Sequence, residues 1–163
     1  MRLVRFAIIS VFVLVLIASA ISMLFPSYVL VSRAITIERP KKEILPIVRD
    51  FKQWHLWVAG MNDSSVKVVD ANNAILGNTV VTTIAVSDSL IIANWDAKGS
   101  KQVSKLRIIA VDSAKQTIVQ WQFEQKIKWY PWEKFGSMMS DKIIGSMMEK
   151  NLQQLKVFIE QQP

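Results

Sequence analysis

The sequence predicts an α+β domain in which one long C-terminal α-helix lies across a single curved antiparallel sheet. The first observation is a helical pattern between residues 128 and 161, whose second half places apolar side chains on one face: Ile144, Met148, Leu152, Leu155 and Ile159. The second is a series of short β-branched stretches, separated by polar turns, that begins after Asn62. A third, an uncharged apolar run near the N-terminus, places one transmembrane helix before the domain.

The apolar run extends from Phe6 to Phe25, which is 20 residues without a charge. A helix of that length spans about 30 Å, the thickness of the hydrocarbon core of a bilayer. We therefore predict that residues 1–25 form a short basic head and a membrane helix (residues 6–25), and that residues 26–163 form one domain. The alternative is a cleaved signal peptide, because residues 18–20 (Ala-Ser-Ala) fit a cleavage pattern. Apolar residues continue past that site, which favours an uncleaved single-pass anchor.

The side of the membrane on which the domain lies is less directly encoded. Arg2 and Arg5 precede the apolar run, but Arg33, Arg39 and two lysines follow it, so the distribution of positive charge leaves both orientations open. The short basic head resembles an export signal, and sizeable domains can cross a membrane regardless of modest flanking charge. We expect the domain outside the cytoplasm, on the periplasmic side.

Composition excludes several classes of site. The chain has 163 residues, no cysteine and a single histidine, His55, so a disulfide framework, a thiolate or multi-histidine metal site and a cysteine nucleophile are excluded. We predict no metal and no cofactor. His55 itself is expected at the surface or packed on tryptophan, because no carboxylate is placed beside it by the sequence.

The net charge is +7, and beyond Arg2 and Arg5 the chain carries 18 basic and 13 acidic residues, a balance of +5. A mild positive balance is compatible with an anionic surface such as a membrane. It does not by itself indicate nucleic acid, and no nucleic-acid partner is predicted.

The domain begins with alternation typical of a strand from Val29 to Ile37, which Pro40 stops. The stretch from Lys41 to Phe51 predicts a short helix, kinked at Pro46 because proline removes one backbone hydrogen bond. A further helical turn would then place the indoles of Trp54 and Trp57 on one side.

Strands are predicted by β-branched runs between short polar turns, at Val66–Asp70, Thr79–Val86, Leu90–Ala97, Val103–Asp112 and Thr117–Lys126. In the last of them, Val119, Trp121 and Phe123 share one face, whereas glutamine and glutamate residues share the other. One face of the sheet is therefore expected to be dry.

Several motifs occur in this order of elements. They are Phe25-Pro26-Ser27-Tyr28-Val29 leading into the first strand, Phe51-x-x-Trp54-x-x-Trp57, Val119-x-Trp121-x-Phe123, Trp129-Tyr130-Pro131-Trp132, Asp141-Lys142-x-x-Gly145 and Leu152-x-x-Leu155-Lys156. With them the chain resembles the START / birch-pollen-allergen-like helix-grip superfamily (SRPBCC), and within it the bacterial polyketide cyclase/dehydrase and lipid-transport-like family with an N-terminal membrane helix. Pro46 in the first helix and Asn151, where glycine is expected, depart from the family pattern.

The resemblance implies a hollow between sheet and helix that binds an apolar molecule, and it does not imply catalysis. Flexible methionines and numerous tryptophans suit such a space, although they also serve as ordinary core residues. The predicted ligand-binding residues are Trp57, Trp95, Trp121, Phe123, Trp132, Met138, Met139, Asp141, Met148 and Asn151. The predicted partners are a hydrophobic small molecule or lipid and the membrane.

Two alternatives remain open. A cyclase or dehydratase would need an acid–base group inside the cavity, for which Asp141 and Asp96 are the only candidates. Asp141 can instead cap the helix or pair with a strand-borne base such as Arg107. The other alternative is a membrane-anchored interaction module with a filled core that binds a protein partner the sequence does not identify. A ligand that remains bound to the purified domain would favour the ligand-binding hypothesis over the interaction module with a filled core.

Overall fold

The computed structural model describes residues 2–24, 28–98, 100–112, 115–127 and 131–162, without the side chains of residues 2, 22, 112, 131–138 and 140. The helices are α1 (Arg2–Leu24), α2 (Lys41–Arg49), a 3-10 helix (Phe51–Leu56) and α3 (Pro131–Glu160). The strands are β1 (Tyr28–Ile37), β2 (Val66–Val68), β3 (Asn73–Leu76), β4 (Thr79–Val86), β5 (Leu90–Ala97), β6 (Ser100–Asp112) and β7 (Gln116–Lys126).

The seven strands form one antiparallel sheet in the order β1-β7-β6-β5-β4-β3-β2. Strands β2 to β7 follow one another as a meander, and β1 joins the far edge beside β7. Register shifts in β4, between Thr83 and Ala85, and in β6, between Ala110 and Asp112, are the kind of irregularity that bends strands. The predicted α+β architecture, a curved sheet with one long C-terminal helix, is confirmed.

The sequence analysis missed one strand, β3. It has only four residues, too few to show a clear alternation, and turn-forming residues flank it on both sides. The turn before it is held by Asp70, whose carboxylate accepts hydrogen bonds from the side-chain amide of Asn73 at 3.0 Å and from the backbone N–H of Asn72 at 2.7 Å. These bonds lower the pKa of Asp70, so their contribution is present at neutral pH and is lost as the pH falls through that pKa.

Pro46 lies inside α2 and does not end it, since the helix continues to Arg49. Pro46 and Lys42, whose carbonyl group loses its helical partner, are both exposed, so water can satisfy that carbonyl. The helix ends two residues before the predicted Phe51. Asp50 is extended there and accepts a hydrogen bond from the backbone N–H of Lys52 at 2.8 Å, which caps the 3-10 helix.

Helix α3 packs along β1 through the predicted apolar face. Met148, Leu152, Leu155 and Ile159 are all buried, and Ile144 is half-buried. The hydrophobic core of the described residues extends from Val31 to Ile159 and contains nothing from α1. A fragment of residues 26–163 therefore retains this whole core.

Polar contacts fasten the C-terminal end of α3 to the end of β1. Glu160 accepts a hydrogen bond from the backbone N–H of Glu38 at 2.9 Å, and the Lys156 ammonium donates to the Thr36 carbonyl at 3.1 Å. Arg39 donates to the Glu160 carbonyl at 3.3 Å, where a cation also interacts favourably with the negative end of the helix dipole.

Helix α1 contains a segment, Leu3–Ile21, that is long and apolar enough to cross a membrane, and no part of this segment is buried against the rest of the chain. Secretory signal sequences share these properties. The helix is thus a candidate membrane span by its length and composition.

Candidate functional site

Six aromatic rings form a continuous cluster between the sheet and the helices. Phe51, Trp54 and Trp57 come from the 3-10 helix and the residue after it, Trp95 from β5, and Trp121 and Phe123 from β7. Neighbouring ring centroids lie 4.6 to 6.4 Å apart, with mostly tilted or edge-to-face geometry. Such arrangements are favourable for aromatic pairs beyond the area that they bury.

The sheet register makes room for these rings. The inward positions of β7 alternate with outward glutamine and glutamate residues, as the sequence predicts. Phe123 pairs with Ser104 of β6, and Ser104 pairs with Ala93 of β5, so two small buried side chains lie side by side on the inner face. Indoles from neighbouring positions can occupy the space above them.

The four described tryptophans of this cluster divide into two classes. The indole N–H of Trp54 donates to the Val48 carbonyl at 2.9 Å, and that of Trp95 donates to the Ser104 hydroxyl at 2.8 Å. The indole nitrogens of Trp57 and Trp121 are buried and have no hydrogen-bond partner among the described residues. Most buried polar groups in proteins are paired, so this division needs an explanation.

Asn151 of α3 adds a third unpartnered donor. It is 1% exposed, and its side-chain carbonyl accepts a hydrogen bond from the backbone N–H of Ala59 at 3.0 Å. Its amide nitrogen has no partner in the part of the chain that the structure describes. Through its contact with Ala59, Asn151 ties α3 to the segment that follows Trp57.

Solved structures with this architecture were found by comparison. A START superfamily protein from Mycobacterium smegmatis superposes with a TM-score of 0.62 at 16% identity, covering 82% of this chain and 99% of that one. The fold is START-like. CalU16 from Micromonospora echinospora matches with a TM-score of 0.57 at 15% identity, covering 83% of this chain and 84% of that one.

The START-like fold is also shared by the di-domain ARO/CYC protein StfQ from the steffimycin biosynthetic pathway, with a TM-score of 0.58 at 9% identity over 82% of this chain and 51% of StfQ. No protein-family model and no curated protein matches the sequence. At these identities the comparisons establish the fold and leave the ligand open.

Within the START-like domain, five of the predicted ligand-binding residues are buried between sheet and helix: Trp57, Trp121, Phe123, Met148 and Asn151. Trp95 is half-buried at the edge of the same cluster. Met139 is 66% exposed and lies with Ile143 and Met147 on the outer face of α3. The side chains of Trp132 and Met138 lie outside the described residues. Ligand binding by these residues stays a prediction.

The two candidate acid–base groups lie outside the interior. The Asp96 side chain is 60% exposed, alternates with the inward Trp95 along β5, and lies 3.8 Å from the Lys101 ammonium. The Asp141 side chain is 55% exposed and lies 3.7 Å from the Arg33 guanidinium. Asp141 therefore pairs with a strand-borne base, as one prediction holds, but the base is Arg33 of β1 and not Arg107.

Arg33 is a site residue that the sequence analysis missed. It occupies an inward position of β1 between Val31 and Ile35, and its guanidinium lies over Gly145 of α3. Its Nε donates to the Glu149 carboxylate at 2.6 Å. A methyl group at position 145 would overlap the guanidinium. Glycine at this position therefore allows α3 to pass close over the Arg33 side chain. A lone arginine in an apolar strand face, with a glycine inside the facing helix, was the available signal.

This contact predicts an energetic coupling between Arg33 and Gly145. Alanine is about 1 kcal/mol better than glycine inside a helix. In an Arg33→Ala background, Gly145→Ala should therefore raise the free energy of unfolding by about 1 kcal/mol. With Arg33 present, the methyl group displaces the guanidinium from Glu149, a partly exposed pair worth about 0.2–1 kcal/mol. Urea denaturation of the four proteins measures the coupling.

Ser146→Ala is the matched control, because Ser146 is the exposed neighbour of Gly145 and donates to the Lys142 carbonyl of its own helix. Its effect should be the same with and without Arg33. Equal effects of Gly145→Ala in both backgrounds would contradict the contact.

A surface groove of about 500 Å³ borders the interior on one side. Its walls are the segment from His55 to Asn62 and the outer side of α3 around Val157. Two residues of this wall connect it to the unpartnered donors. Trp57 carries one of these donors, and the backbone N–H of Ala59 donates to the side-chain carbonyl of Asn151, which carries another. His55 is exposed, with Nδ1 2.6 Å from the Lys52 carbonyl oxygen, as expected of a surface residue.

Proposed function

We propose that this START-like domain binds a hydrophobic small molecule or lipid between its sheet and α3, without catalysing a reaction. The observation that supports this best is an aromatic interior in which buried polar groups have no protein partner. An apolar pocket with a few polar groups that fix orientation is the usual design of a small-molecule site. Met148, buried beside this interior, is a flexible side chain that can repack around a guest.

The non-catalytic part of the proposal rests on the carboxylates. A general acid or base must reach the reacting atom, either directly or through one water. Asp96 and Asp141, the two candidates, form ion pairs at the surface. The cyclase or dehydratase alternative therefore lacks an interior carboxylate among the candidates that the sequence offers.

We further propose that α1 anchors the domain in a membrane and that the domain lies on the periplasmic side. Strand β1 begins at Tyr28, four residues after α1 ends at Leu24. The four Cα–Cα steps from Leu24 to Tyr28 extend at most about 14 Å, so the domain stays close to the bilayer, where an apolar ligand is available.

One preparation tests both the anchor and the ligand. The full chain is expressed, the membranes are washed with alkaline carbonate, and the protein is purified in detergent for mass spectrometry of its organic extract. The control is residues 1–25 fused to an unrelated soluble protein, which carries the lipids that surround α1 alone. We expect both proteins to resist the carbonate wash and one class of apolar molecule to be enriched with the full chain.

The two readouts separate the proposals. A soluble mature chain beginning at Ile21 would show that α1 is a cleaved signal. Identical extracts from the full chain and the control, together with no binding of a fluorescent fatty-acid analogue to residues 26–163, would instead favour the interaction module with a filled core. A reporter that is active only outside the cytoplasm, fused after Pro163, reports the side of the membrane.

A further inference from the structure

Three of the four unpartnered buried polar groups among the described residues share one chemical property, whereas the fourth, the Thr83 hydroxyl of β4, can both donate and accept. Trp57 and Trp121 each offer an indole N–H, and Asn151 offers an amide N–H. The two indole rings lie 5.6 Å apart, and Asn151 binds Ala59, two residues after Trp57. These three buried nitrogen atoms therefore lie in one neighbourhood. Each of them can donate a hydrogen bond, and none of them can accept one.

The free energy involved is large enough to matter. A buried donor without an acceptor costs about 1–3 kcal/mol. The same interior provides acceptors for Trp54 and Trp95 at 2.8 to 2.9 Å, so its packing is compatible with satisfied indoles. Among the described residues, the groups that these donors lack are one or more oxygen acceptors.

We propose that the ligand carries one or more neutral oxygen acceptors, the carbonyl groups of a ketone, ester or amide, which accept hydrogen bonds from Trp57, Trp121 and Asn151. This rests on the proposed binding function and specifies its ligand class. A protonated amine or a plain hydrocarbon would leave the donors unsatisfied, whereas one carbonyl oxygen has two lone pairs and accepts from two of them.

Charge distinguishes a carbonyl from a carboxylate. Among the described residues, the cation beside this interior is Arg33, which pairs in the sheet with Trp121. Arg33 already contacts the carboxylates of Glu149 and Asp141, so this group of three charges sums to −1. A buried carboxylate without a free counter-charge is strongly disfavoured, and the neutral acceptor is preferred.

Three probes of equal chain length test the proposal: dodecane, methyl dodecanoate and dodecanoate. They displace an environment-sensitive fluorophore from residues 26–163, a fragment that contains the described core and whose cooperative unfolding is first verified by circular dichroism. We expect the ester to bind about 10-fold more tightly than the alkane, the effect of one or two net hydrogen bonds, and more tightly than the carboxylate at pH 8.

Three of these tryptophans supply matched variants. Trp57→Phe and Trp121→Phe each remove an unpartnered donor and should reduce the ester-to-alkane affinity ratio several-fold. Trp54→Phe removes a donor that already has a protein acceptor, the Val48 carbonyl, and should leave the ratio unchanged. Because the ratio compares two probes on one protein, a general loss of stability cancels, and either Trp57→Phe or Trp121→Phe alone decides the test.

The outcomes separate this inference from the proposed function. Equal affinities for ester and alkane, unaltered in Trp57→Phe, would mean that the donors bind water; this overturns the inference and leaves apolar binding intact. Tighter binding of the carboxylate would also overturn it. Failure of all three probes and of the fluorophore to bind overturns the proposed function itself, and the ligand class with it.

Discussion

Trp121→Ala should lower the free energy of unfolding by about 3–5 kcal/mol, the cost typical of removing a large aromatic side chain from a core. Trp121 is 1% exposed and contacts the rings of Trp54, Trp57 and Phe123 at centroid distances of 5.6 to 5.8 Å. These neighbours belong to β7 itself and to the 3-10 helix with the residue after it, which the rest of the fold holds in place, so they are not expected to collapse fully into the space. Urea denaturation of residues 26–163 measures the loss.

Two controls make this prediction specific. Trp121→Phe keeps most of the ring volume and should be clearly less destabilising. Free indole should raise the melting temperature of Trp121→Ala by more than that of the wild-type domain, because engineered apolar cavities bind small aromatic molecules. A loss below about 1 kcal/mol would contradict the packing of Trp121 against these three rings.

Much of the fold could be predicted because its signals are local. Alternation defined the long strands, and the spacing of Met148, Leu152, Leu155 and Ile159 defined the buried face of α3. Strand β3 could not be found in this way, since a four-residue strand is held by its pairing with β2 and β4. The end of α2 was misplaced by two residues because Asp50 caps the following 3-10 helix instead of continuing α2.

The candidate site could be predicted only in part, because its polar contacts depend on distant segments. Adjacent methionines such as Met147 and Met148 point about 100° apart on a helix, so one is buried and the other 47% exposed. Periodicity alone did not assign Met139 to the outer face. The partner of Asp141 depends on how α3 crosses β1, so the lone arginine in the apolar face of β1 did not by itself identify Arg33 as that partner.

The same limit applies to the indole nitrogens. Whether an indole N–H finds an acceptor depends on the Val48 carbonyl for Trp54 and on the Ser104 hydroxyl for Trp95. The sequence shows six tryptophans and no such distinction among them. Only the packed structure separates Trp54 and Trp95, whose indoles have acceptors, from Trp57 and Trp121, whose indoles have none among the described residues.

The second large effect is expected at Leu155, on the helix that closes the interior. Leu155 is fully buried on the face of α3 that meets the sheet, whereas Val157, two residues further on, is 42% exposed. Leu155→Ala should lower the free energy of unfolding by about 2–5 kcal/mol, through lost burial and the cavity left behind. Val157→Ala should change it by no more than about 0.5 kcal/mol.

The comparison of Leu155→Ala with Val157→Ala tests how α3 is held. Both substitutions place alanine in the same stretch of one helix, so helix propensity contributes little to the difference between them. Hydrogen exchange of the α3 amides adds a second readout, because contacts of Lys156 and Glu160 also hold this end of the helix. If only α3 loses protection in Leu155→Ala, the helix opens separately from the sheet and provides a route for ligand entry. Similar losses of stability in the two variants would instead contradict the conclusion that only one face of α3 packs against the sheet.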